Sequence, residues 1–156
     1  AMFRKFKFEE ALYEALQDIP YSVRQKIELA GLRLTTEAWR RLPPEERGVL
    51  CHISVRSQGE REVYRSFLVL ALSRLGLAPE VLEAEQLRLE RARWEDPLHV
   101  PEEVAESSSR AGLPVAEDDW LMFDDTERYV LFRVSQEKPE RVGDVLMELL
   151  KHRRWR

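Results

Sequence analysis

Asparagine is absent from this 156-residue chain, cysteine occurs once, and the six glycines stand singly. Each scarcity excludes something. One thiol, Cys51, leaves no intrachain disulfide to form. Scattered glycines exclude a glycine-rich phosphate loop. His52, His99 and His152 lie far apart, and none has a second ligand at metal-binding spacing. The one long apolar run, Phe67 to Leu72 (FLVLAL), is far too short to span a bilayer. The opening AMFRKFKFEE holds no long apolar stretch and no cleavage-like segment. That predicts a chain without a signal peptide, located in the cytoplasm. Lysine is scarce as well: 20 of the 25 bases are arginine, which together with the missing asparagine is a bias of thermophilic or GC-rich sources.

Charge, by contrast, is abundant. Charged residues make up 35% of the chain and hydrophobic ones 44%, the profile of a globular protein with a charged exterior. The net charge is −4, unevenly spread. The last six residues, KHRRWR, hold four of the bases and no acid, so 21 bases face 29 acids in the rest. An acidic body argues against broad binding to nucleic acid. The tail has the composition of a contact for an anionic surface, and equally that of a frayed helix end in solvent.

A repeat is also present. Residues 30–39 read AGLRLTTEAW and residues 111–120 read AGLPVAEDDW. At an offset of 81, register holds without a gap from Ile19/Val100 to Ser54/Ser135. Pro20 falls on Pro101, Gly31 on Gly112, Trp39 on Trp120, Glu46 on Glu127 and Arg47 on Arg128. This predicts a duplicated supersecondary unit. Pro20 and Pro101 suit a first helical turn. Gly31 and Gly112 suit a left-handed C-terminal cap. A short helix then carries each tryptophan. The next begins at Pro44, with Glu45 and Glu46 in its first turn, or at Asp124, which has capping-box spacing to Glu127.

A further helix follows each unit. From about Glu60 to Leu75 its middle is apolar nearly all round, which predicts a buried central helix. From about Glu140 to Lys151, Val142, Val145, Leu146, Leu149 and Leu150 form an inward stripe. FKFEEALYEAL predicts a leading helix with Leu12 and Leu16 on one face, and the charged stretch before Pro97 another. The fold class is all-α: one helical bundle-like domain, 1–156, built from two tandem pseudo-equivalent repeats at about 19–75 and 100–151, joined by a helical connector at about 76–99, with one common core.

Chemistry-bearing motifs are few. Cys51 and His52 are adjacent, about 100° apart on a helix, a poor pair for chelation or thiol activation. Cys51 aligns with Phe132 and reads as a small buried residue. The acid pairs Glu9–Glu10, Glu45–Glu46, Glu102–Glu103 and Asp118–Asp119 read as helix starts or solvated faces rather than acid–base pairs. Trp39 and Trp120 read as core anchors before stacking platforms. Arg47 and Arg128 read either as paired arginines linking helices within each half or as partner-docking residues.

The chain resembles the nitrate reductase-associated proteins. The matching elements are Phe6-x-Phe8-Glu9, Ile19-Pro20-x-x-Val23-Arg24, Lys26-Ile27-Glu28, Gly31, Trp39 and Glu46-Arg47, followed by Tyr64-Arg65-x-Phe67-Leu68. Later Trp120, Glu127-Arg128-Tyr129-x-Leu131 and Val134-Ser135 are similar to that family's closing segment. IPYSVRQKIELAG is also similar to a small helical domain of light-independent protochlorophyllide reductase, over one helix and a turn.

The first resemblance implies a non-catalytic accessory role, without a cofactor, metal or membrane anchor of its own. The partner would be an assimilatory, molybdenum- and iron–sulfur-dependent nitrate reductase, helped in its maturation, stability or electron supply. Arg24, Arg47 and Arg128, with exposed apolar residues near the two turns, are the candidate contacts. Two other classes stand beside it: a nucleic-acid-binding helical regulator using the basic tail, and a small-molecule binder or enzyme with a pocket between the halves.

Overall fold

A computed structural model describes the backbone of residues 3–154 and the side chains as far as Lys151. The chain divides into two compact units. The first comprises the residues up to Lys5 with Glu9–Leu87, the second Phe6–Phe8 with the residues from Arg88 onward.

In the first unit, α1 (Tyr21–Leu29) leads into β1 (Leu32–Arg33), and then α2 (Thr36–Arg41), α3 (Pro44–His52) and α4 (Gln58–Ser73) follow, with β2 (Glu80–Val81) after them. The boundaries follow from local chemistry. Pro20 is the residue before α1, one position earlier than its sequence role as a first-turn proline, and its carbonyl accepts from Val23 and Arg24 N–H. Gly31 ends the helix at φ 83°, where any side chain is strained, and its N–H closes on Glu28 O at 2.8 Å. Thr35 Oγ1 accepts Ala38 N–H at the start of α2. Ser57 and Glu60 satisfy each other's backbone N–H groups at the start of α4. Val23, Ile27, Leu32, Trp39, Leu42, Leu50, Tyr64, Leu68 and Leu72 form the core of this unit.

In the second unit the elements are α5 (Ala84–Glu95, which begins in the first), α6 (Glu102–Arg110), α7 (Glu117–Met122), α8 (Asp125–Glu137) and α9 (Val142–Arg154). Gly112 ends α6 at φ 75°. Asp124 and Glu127 form the capping box of α8 as their spacing predicts. On α8 every side chain from Arg128 to Ser135 is buried. The inward stripe of α9 is in place: Val142, Val145, Leu146 and Leu149 are buried and Leu150 is half-buried. α6 packs on α8 and α9, and α8 on α9.

Three expectations need correction. FKFEEALYEAL does not form an α-helix. Lys7–Leu12 is a 3₁₀ turn kinked at Glu9, and Leu16 takes φ 51°. Glu9 holds that shape: it is buried and accepts from Tyr13 Oη at 2.7 Å and Tyr21 N–H at 3.3 Å, bonds that tie the segment to the start of α1. The fold is mainly helical but not wholly so, because Leu32 pairs antiparallel with Val81 and Arg33 with Glu80. Two-residue strands have no room for the alternation that marks a strand in a sequence. Finally, α4 is not buried all round. Leu68, Ala71 and Leu72 face the core while Val69 and Leu70 lie outside. The KHRRWR tail lies outside the described side chains apart from Lys151.

Candidate functional site

The two aligned tryptophans make the same bond in their respective units. Trp39 on α2 is fully buried and its Nε1–H donates to Leu16 O at 2.8 Å. Trp120 on α7 is fully buried and its Nε1–H donates to Asp96 O at 2.8 Å. Each indole thus fills a core position and its polar tip ties down the segment upstream of the unit. The reading of both as core anchors agrees with this placement.

The three candidate arginines fall in different settings. Arg128, at the first turn of α8, is buried. Its Nε donates to Trp94 O at 2.9 Å and its Nη1 to Phe123 O and Trp120 O, while Nη2 pairs with Asp125 at 2.5 Å. It gathers carbonyls at the end of α5 and just after α7, where the last turn of a helix leaves acceptors over; Trp120 O is shared with the Phe123 N–H. Arg47, its sequence counterpart on α3, is equally buried, yet its Nε and Nη1 have no hydrogen-bond partner. Arg24 is half-buried on α1 with its guanidinium 5.0 Å from the centre of the Tyr21 ring.

Composition offers no reason to single out Lys26. It is buried on α1 and donates to Cys51 O at 2.8 Å and Ile53 O at 2.7 Å, so an ammonium caps the C-terminal end of α3. Burial lowers its pKa to about 8, with Cys51 nearby acting in the other direction. Burial likewise pushes the Cys51 thiol up to about 11, partly offset by Lys26, Lys5 and Arg47. A thiol so raised is a poor nucleophile at neutral pH, in keeping with the reading of Cys51 as a core residue. Tyr64 Oη donates to Leu50 O in the same region, and burial raises its phenol well above the ordinary value. The available sequence signal is position: Lys26 lies beside Ile27 and one turn from Val23, on a helix short enough to be enclosed.

Among the described residues no group of three or more His, Cys, Asp or Glu stands close enough to hold a metal ion. No described helix is long and apolar enough to cross a membrane. His52 and Cys51 diverge as their adjacency predicts: the thiol is buried, and the ring is exposed and bonded to Gly48 O at 2.8 Å.

Apolar residues remain on the outside of several helices, most closely grouped on α4 and α7. On α4, Val63 is 62% exposed, Leu70 59% and Val69 38%. Val63 and Leu70 are seven residues apart and share a face. On α7, Leu121 and Met122 are exposed in a segment rich in acids, EDDWLMFDD. The corresponding positions of α2 are Arg40 and Arg41, and Arg40 is tied to Asp18 and Gln17 O.

Lys26 and Arg128 serve the protein's own carbonyls, Arg47 is buried, and apolar residues are left on helix exteriors: the class is a mainly helical protein with exposed apolar surface. The family can be stated more closely. Residues 5–148 match the family of conserved nitrate reductase-associated proteins, and the chain belongs to that family. Comparison with curated proteins and with solved structures gave no match.

Proposed function

We propose that the protein is a non-catalytic accessory of an assimilatory nitrate reductase, acting by protein–protein contact in the cytoplasm. It supports the reductase in maturation, stability or electron supply. Membership of a nitrate reductase-associated family across residues 5–148 supports this choice of partner, and the exposed apolar residues of α4 support docking as the means. Val63, Val69 and Leu70 keep apolar surface in water at a stability disadvantage that a docked partner would remove. Arg24, half-buried on α1, is a further contact in this reading. Arg128 acts from beneath, holding the carbonyls of Trp94 and Phe123, while Arg47 is buried and offers no surface contact.

We also read the two units as products of a duplication. The matched residues at offset 81, the paired left-handed glycines and the twin indole bonds support that reading.

A deletion strain grown on nitrate as sole nitrogen source tests the proposal. Nitrate reductase activity should fall, return with the wild-type gene, and fail to return with Val63→Glu/Leu70→Glu expressed at the same level. Unimpaired nitrate reduction without the protein contradicts it.

A further inference from the structure

A groove of about 670 Å³ opens in the second unit along α9. Its walls are built by the short segment Lys7–Phe8 on one side and, on the other, by Arg141 just before α9 and the α9 face from Asp144 to Lys151. The segment is fixed at both backbone groups of one residue. Phe8 N–H donates to Glu148 Oε1 at 3.2 Å, and Phe8 O accepts from Arg141 Nη2 at 2.9 Å. Arg141 also holds Asp144 at 2.8 Å, and its guanidinium lies 5.8 Å from the centre of the Phe8 ring. Both acids of the groove are therefore engaged, one by a guanidinium and one by a backbone amide.

Two features are left over. Lys7 and Lys151 are exposed at the groove and none of the ion pairs of the described residues includes them. Met147 is 61% exposed beside the half-buried Phe8, so the lining between the lysines carries apolar surface. With Arg141 counted against Asp144, the groove retains two lysines against Glu148. The size is within the range of about 300–1,000 Å³ typical of binding clefts. A thioether is an adaptable contact for varied side chains, and free ammonium groups favour a carboxylate.

From this we infer that the Lys7–Phe8/α9 groove binds an acidic peptide segment of a partner protein, with an apolar side chain against Phe8 and Met147 and flanking carboxylates at Lys7 and Lys151. The inference rests on the reading that the protein works by docking, and it assigns the chemistry of one contact. Nucleic acid fits poorly, because its phosphate backbone carries no aliphatic side chain to cover Phe8 and Met147. A bare inorganic anion would leave the apolar lining uncovered.

The test uses the whole protein, isotope-labelled, and four probes: the peptide DELFDELFDE, its apolar-free form DESSDESSDE, its charge-inverted form KKLFKKLFKK, and a ten-nucleotide oligo-dT. DELFDELFDE should bind with amide shifts clustered at Lys7, Phe8, Met147 and Lys151, and the other probes should bind at least about tenfold more weakly. Lys7→Glu/Lys151→Glu and, separately, Met147→Asp should each weaken binding by about tenfold or more, a difference of about 1.4 kcal/mol. These side chains are exposed, so the variants should keep the wild-type unfolding midpoint. No binding, shifts located elsewhere, affinity unchanged in the variants, or equal binding of oligo-dT overturns the inference. So does self-association that occupies the groove without peptide. Retention of the reductase by the groove variants as strongly as by wild type removes this contact while leaving the accessory role standing. Loss of reductase binding by the wild-type protein itself removes the accessory role instead.

Discussion

Trp39 Nε1 donates to the carbonyl of Leu16 at 2.8 Å, and Leu16 is a non-glycine residue in the left-handed region, at φ 51°. A leucine pays about 1–2 kcal/mol for that conformation, and here it aims the carbonyl at the indole. Trp39→Phe should therefore lose both ring volume and the bond, and destabilise by about 1–3 kcal/mol in urea unfolding. Trp120→Phe, which releases Asp96 O, should lose a similar amount. Leu16→Gly should lose less, because relief of strain offsets lost packing. A Trp39→Phe midpoint equal to wild type would show that the bond does not hold the segment.

The two aligned arginines should respond in opposite ways. Arg128→Met strands the carbonyls of Trp94 and Phe123 inside the protein and should destabilise by about 3–5 kcal/mol. Arg47→Met removes a buried cation whose Nε and Nη1 have no partner, and should be neutral or stabilising. Calorimetric midpoints of the two variants decide the matter. Equal losses would mean that Arg47 contributes as its counterpart does.

Stability should respond to alkaline pH in a defined pattern. Lys26 titrates at about 8 when folded, against 10.5 ordinarily. Between those values the unfolded chain holds a proton that the native state has released, so stability rises with pH, by about 3 kcal/mol at most. Cys51 opposes this. Its folded value of about 11 exceeds the ordinary 9.0, so above 9 the native state keeps a proton that the unfolded chain loses, and stability falls. Wild type should gain stability from about pH 8 to 9 and then level off. Cys51→Ala should keep rising to about pH 10, where the raised phenol of Tyr64 begins to oppose it. A flat profile in Cys51→Ala contradicts the assignment to Lys26.

Glycine substitutions separate backbone need from accident. Gly31→Ala and Gly112→Ala place a side chain at φ 83° and 75° and should each destabilise by about 1–2 kcal/mol. At Gly31 the new Cβ also meets Arg65 Nη1 at 2.9 Å. At Gly48 on α3 an added Cβ meets nothing within 4 Å, so Gly48→Ala should stabilise by about 0.5–1 kcal/mol. Thermal melts of the three variants give the comparison.

Much of this fold is legible in the sequence because its punctuation is strong. Gly31, Gly112, Pro44, Asp124 and the α9 stripe each carry a local rule that tertiary structure does not override. The leading segment is not legible. Its periodicity is helical, but Glu9 finds bonds with Tyr13 and Tyr21 that only the folded unit supplies. The FLVLAL run misleads for a different reason: hydrophobicity reports what can be buried, and Val69 and Leu70 are left outside. Lys26 gives only a positional signal, because a lone lysine on a helix usually reaches solvent, and the carbonyls of Cys51 and Ile53 that hold it belong to a later turn of the chain.

The most direct measurement of the central claim is isothermal titration of the purified protein into the nitrate reductase of the same organism. The expected result is saturable binding with a negative heat-capacity change, the mark of apolar surface leaving water, and at least about tenfold weaker binding for Val63→Glu/Leu70→Glu. Absence of heat and of any complex on gel filtration at tens of micromolar, with both proteins folded, would contradict it.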